Sequence, residues 1–161
     1  MKNTMIVFTS DHGDFLGDHW LGEKELFYDP IQRVPCIVMD PDHRADASRG
    51  TVDARMVEAV DFVPTFLEAL GVEGASQRIE GMSLLPLLRG ESPVWRQAAF
   101  SELDYSFRQA RLLLNKTPQQ SRAYSMRTDR WRYVYWLDEP EQLFDLEKDP
   151  QELYDLGRDA G

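Results

Sequence analysis

At 161 residues the chain has the length of one domain and enough material for a substantial core. Eighteen basic against 28 acidic side chains leave a formal charge of −10, which argues against nucleic acid or an anionic membrane surface as partner. A small anionic substrate stays compatible, because a local metal and lysine outweigh the global field.

No run approaches the ~20 apolar residues that span a bilayer. Met1-Lys2-Asn3-Thr4 leads straight into an apolar segment without a signal-peptide h-region, so the expected location is cytoplasmic. That segment, Met5-Ile6-Val7-Phe8, is β-branched and aromatic and predicts a buried strand. Thr9-Ser10-Asp11-His12-Gly13-Asp14 follows directly. In open α/β sheets the loops that leave the carboxyl ends of strands bind ligands. Asp11 and His12 offer one hard oxygen and one imidazole nitrogen there, half of a divalent metal site. A structural turn explains the pair equally well from the residues alone. Gly13 and Gly17 permit tight turns, and Lys24 adds a cation after a short glycine-punctuated loop.

Beyond Lys24, Asp29-Pro30 signals a turn. Val34-Pro35-Cys36-Ile37-Val38-Met39 predicts a second buried strand, with Cys36, the one cysteine, as a small core residue. A lone cysteine excludes an intramolecular disulfide. Asp40 to Asp46 is a polar loop in which His43 is solvated. In Val52–Leu70, Met56, Val60, Val63, Leu67 and Leu70 recur at helical spacing on one face. Pro64 places the helix start near Asp61, whose carboxylate is read as a cap, and Gly71 ends it. Ser83 caps a short helix with Pro86 in its first turn and Gly90 at its end.

Glu91-Ser92-Pro93 is a linker, after which the pattern turns strand-like. Strands are predicted over 98–105, 122–128, 131–136 and 141–146, paired antiparallel, with helical character between Arg108 and Asn115. Trp131, Tyr133, Tyr135 and Trp136, interleaved with Arg130 and Arg132, fit a half-buried sheet face better than a ligand platform. The acids from Asp138 to Glu141 lack calcium-loop spacing and are read as a solvated surface.

Four segments in order carry a resemblance: Ser10-Asp11-His12-Gly13-Asp14 through Gly17-Asp18-His19-Trp20 to Lys24; Asp61-Phe62-Val63-Pro64-Thr65; Gly81-Met82-Ser83-Leu84-Leu85-Pro86-Leu87-Leu88; and Leu143-Phe144-Asp145-Leu146-Glu147-Lys148-Asp149-Pro150. Together they resemble the sulfatase family of the alkaline phosphatase superfamily, most closely its phosphonate monoester hydrolases and arylsulfatases. The resemblance implies an α/β fold: the C-terminal part of an alkaline-phosphatase-like α/β sandwich over residues 1–94, then a small antiparallel β-sheet subdomain with helix over 95–161.

It also implies hydrolysis of sulfate, phosphate or phosphonate esters. Asp11 and His12 become metal ligands, Lys24 the catalytic lysine that contacts the substrate's anionic group, and Asp18 and His19 supports. The metal is expected to be Ca2+ or Mn2+, with Zn2+ or Mg2+ compatible. Family members use a cysteine matured to formylglycine in a C-x-P/A-x-R segment. Cys36, followed by Ile37-Val38-Met39-Asp40, does not match, so formylglycine is expected upstream and this chain alone is expected to be inactive. A small anionic ester is the expected substrate, and a homo-oligomer is compatible with the sequence. Two alternatives stand beside this: a non-catalytic assembly module, and another phosphotransferase of the superfamily, which three histidines and Lys24 suit less well.

Overall fold

The first apolar run becomes β1 (Ile6–Thr9) and the Cys36 run becomes β2 (Cys36–Met39) in a computed structural model that describes residues 3–72 and 78–160. The chain divides into two units, Met1–Asp11 with Val34–Arg96, and His12–Arg33 with Gln97–Gly161.

In the first unit β1 and β2 form a two-stranded antiparallel sheet, with Thr9 opposite Cys36 and Ile6 opposite Met39. Both strands were expected to be buried, and they are not. Phe8 is 60% and Ile37 63% exposed, and Cys36 is exposed rather than a core residue. Among the described residues each strand has a single neighbour, and these side chains lie largely uncovered. Of the apolar face expected around α2 (Phe62–Ala69), Val63 within the helix and Val60 and Leu70 flanking it also lie exposed.

The helix ends where Gly71 predicts. Gly71 has φ +67°, its N–H donates to Glu68 O (3.0 Å) and Val72 N–H donates to Leu67 O (2.9 Å). These paired bonds satisfy carbonyls that a helix end leaves open. Asp61 does not cap α2. Its fully buried carboxylate reaches back to Glu58 N–H (2.8 Å), across to Met82 N–H (2.8 Å), and takes both terminal nitrogens of Arg96. Thr65, also fully buried, donates to Asp61 O (2.6 Å) and accepts from Leu84 N–H (2.8 Å). These bonds dock α3 (Leu85–Leu88), whose N-cap is Leu84 rather than the expected Ser83; Ser83 Oγ accepts from Leu85 N–H (3.2 Å) from one residue further out, and Gly90 follows the helix at φ +75°.

The second unit is a four-stranded antiparallel meander, β3 (Ala99–Asp104), β4 (Arg122–Arg127), β5 (Trp131–Trp136) and β6 (Gln142–Asp145), neighbours in chain order. The stretch expected to be helical between Arg108 and Asn115 holds α4 (Gln109–Leu113), with Thr117-Pro118 opening a 3₁₀ turn. Phe27 enters the sheet's core with Ala123 and Val134, packed by Leu103 and Trp136. Asp29-Pro30 is not a turn. It begins α1 (Asp29–Gln32), where proline is tolerated because its missing N–H has no helical partner to lose.

Candidate functional site

His12, Gly13 and Lys24 belong to the second unit. The loop between them closes through Phe15 N–H to Glu23 O (3.0 Å) and Gly17 N–H to Leu21 O (3.0 Å). Gly17 turns the chain at φ +105°, as expected. Gly13 has a different use: its N–H donates to Ile31 O (2.8 Å), and a Cβ there would lie 1.8 Å from Pro30 O. It is a close-approach glycine against α1 rather than a turn glycine. Phe15 is buried inside the loop, and His19 stacks on Tyr28 at 4.1 Å between centroids. His19, Trp20 and Glu23 hold left-handed backbone, a costly conformation that persists only where surrounding contacts fix it.

That closure brings Lys24 Nζ to 3.0 Å from His12 Nε2, while His12 Nδ1 sits 2.7 Å from Gly13 O. A carbonyl only accepts and an ammonium only donates. A ring that makes both contacts as hydrogen bonds therefore carries its proton on Nδ1 and points the Nε2 lone pair at Lys24. This is the tautomer of a metal-ligating histidine, oriented by a backbone carbonyl through its other nitrogen. Asp11 is exposed and precedes His12 directly, with Ser10 Oγ 3.4 Å from its Oδ1. Asp11 falls at the end of the first unit's opening segment and His12 opens the second; an imidazole and a carboxylate are each able to ligate a divalent ion, and two ligands alone would leave its coordination open. Among the described residues, no group of three or more His, Cys, Asp or Glu side chains gathers to close it.

Sequence reasoning missed the charged cluster behind the loop. Asp29 at the head of α1 takes Arg127 through both carboxylate oxygens (2.9 and 3.1 Å) and also binds Arg132. Arg132, 1% exposed, pairs in turn with Glu152, whose other oxygen accepts from Asp29 N–H (2.8 Å). The one local signal was Arg132 at an inward position of β5, between apolar neighbours. Burial works to raise the Asp29 carboxyl, but Arg127, then Arg132 and Arg33, outweigh it and hold it below the usual carboxylate range. Burial wins at Glu152, whose carboxyl is pushed up despite Arg132.

Known proteins extend the picture. Residues 17–160 match the family described as N-sulphoglucosamine sulphohydrolase, C-terminal. An N-acetylglucosamine-6-O-sulfatase of Bacteroides thetaiotaomicron is 32% identical over 97% of this chain and 27% of its own length. A multifunctional alkaline phosphatase superfamily protein of Trinickia caryophylli is 34% identical over 98% of the chain and 31% of its own length. The crystal structure of a phosphonate monoester hydrolase of Agrobacterium radiobacter superposes with a TM-score of 0.89 at 36% identity, covering 99% of this chain and 32% of that one. The chain thus spans under a third of the length of these relatives. With the α/β architecture and the ordered motifs, these matches place the chain in the sulfatase family of the alkaline phosphatase superfamily, within its N-sulphoglucosamine sulphohydrolase C-terminal domains.

Proposed function

We propose that the chain serves metal-dependent hydrolysis of sulfate esters or of phosphonate or phosphate esters, contributing Asp11 and His12 to the metal and Lys24 to the substrate. The observation that carries this is the Lys24–His12 contact of 3.0 Å on a ring whose Nδ1 is held by Gly13 O. It supports one locus that offers a lone pair to a cation and an ammonium to an anion. Asp11 and His12 would hold a divalent ion, Ca2+ or Mn2+, which when bound would supply Lewis-acid charge to offset negative charge on the ester oxygens.

The chain's own residues do the rest. Gly13 O fixes the proton on His12 Nδ1, so that Nε2 presents only its lone pair. Lys24, on a flexible stem, needs only to swing away from Nε2 to meet the tetrahedral anion. Its charge then stabilises oxygens that redistribute charge as the leaving group departs. The nucleophile, formylglycine, belongs to a segment that these 161 residues do not include, so the chain alone does not turn over.

The test is hydrolysis of 4-nitrophenyl sulfate and an aryl phosphonate by a polypeptide that joins this chain to a formylglycine segment. Lys24→Ala should lower kcat/KM by about 10²–10³, the usual loss for one electrostatic donor. Unchanged turnover in Lys24→Ala would refute the assignment, as would turnover by the 161-residue chain on its own.

A further inference from the structure

We infer that Asp29, clamped by Arg127, Arg132 and Glu152, is a positioning residue that sets the His12 ring through α1 and Gly13. This rests on the site reading above and adds residues to it that touch neither metal nor substrate. The path is short and each step is a hydrogen bond. Arg127 and Arg132 on the meander grip the Asp29 carboxylate, and Glu152 accepts from its backbone N–H at 2.8 Å. Asp29 heads α1, whose Ile31 carbonyl takes Gly13 N–H at 2.8 Å. Gly13 O then accepts from His12 Nδ1–H at 2.7 Å.

Helix α1 is four residues long and cannot hold its own shape, because one turn fixes more backbone than its bonds repay. Its position must come from outside. Burial of Ile31 and the rings around Tyr28 contribute to it, and the described side-chain hydrogen bonds that tie α1 to the meander and its C-terminal tail are the Asp29 clamp and a bond from Ser101 Oγ to Gln32 Oε1 (2.8 Å). Gly13 passes that position on with little slack, since not even a Cβ fits between it and Pro30. A displaced α1 therefore moves Gly13 O, and with it the proton that decides which His12 nitrogen is bare. Positional errors of about 1 Å in such supports cost activity heavily.

The experiment uses the 161-residue chain and long-range proton–nitrogen correlation of its histidine rings, with His12 assigned by its loss in His12→Gln. In the wild type, His12 should show the Nδ1–H tautomer. Asp29→Asn removes the forked acceptor, so that tautomer's signal should be lost while amide signals of β3–β6 stay put, and apparent Mn2+ affinity should fall about tenfold, as for other outer supports of ligating histidines. If Asp29→Asn does not fold, Arg127→Lys gives the same readout, since it keeps the charge and loses the fork. A wild-type ring that has the tautomer and is unchanged in both variants overturns the positioning role alone. A wild-type ring without it overturns this inference and the site reading together.

Discussion

Asp61→Asn should unfold the first unit far more readily than its near-isosteric chemistry suggests. The Asp61 carboxylate is fully buried and serves four donors: Glu58 N–H, Met82 N–H and two nitrogens of Arg96. An amide keeps one acceptor and turns an N–H₂ towards donors. Arg96, with a side chain 12% exposed, is left with Glu58 at 3.1 Å as its remaining described carboxylate. Breaking a buried ion pair by removing one partner costs about 3–5 kcal/mol, and an orphaned buried N–H costs about 1–3. The two overlap at one site, so the expected loss is about 4 kcal/mol. Urea unfolding followed by Trp95 fluorescence measures it, since Trp95 Nε1 donates to Met56 O (2.7 Å) in the same unit. Arg96→Met in the Asp61→Asn background should recover part of the loss, because it removes a largely buried guanidinium that has lost one of its two carboxylates. Burial raises the Asp61 carboxyl, but Arg96 and the N–H groups of Glu58 and Met82 outweigh it, so the folded value lies below the unfolded one. The carboxylate's contribution is therefore complete above the unfolded value of about 3.9 and drains away as pH falls through the lower folded value. A loss under about 1 kcal/mol, or a difference between wild type and variant that grows on acidification, would refute this.

Other outcomes follow from the same geometry. Thr65→Val keeps the shape but strands Leu84 N–H and one lone pair of Asp61 O; it should cost about 1–3 kcal/mol, while Thr65→Ser retains both bonds and costs less, as parallel urea melts would report. Cys36 is exposed, and desolvation followed by the Asp61 charge pushes its thiol above the ordinary 9.0. A disulfide reagent should therefore modify it in the native chain without denaturant, slowly at neutral pH and still accelerating past pH 9; a rate already at its plateau at pH 8 would contradict this.

Local pattern was readable wherever a signal sits within a few residues. The bounds of β5 follow from its alternation, and the end of α2 from Gly71, because period and backbone freedom are local properties. Burial was not readable in the first unit. Periodicity identifies an apolar face on β1, β2 and α2, but not what covers it, and these faces lie exposed in a chain that spans under a third of its relatives. The Asp29–Glu152 contact joins residues 123 apart, so neither neighbourhood announces it, and Asp61 reads as a cap until its partners Met82 and Arg96 are placed. Asp11 and His12 stood out as a carboxylate and an imidazole in the loop after a strand, and the resemblance is what turned them into expected ligands and gave Lys24 its role. What the structure adds is the loop closure that spans twelve residues and puts Lys24 Nζ on His12 Nε2.

The central claim is that His12 and Asp11 take a divalent ion beside Lys24. Titration of the chain with Mn2+, read by calorimetry and by line broadening at the His12 ring, tests it most directly. Weak binding that broadens His12 first and disappears in Asp11→Ala and in His12→Ala is the predicted result. Binding indifferent to both substitutions, or a His12 ring that Mn2+ never reaches, would contradict it.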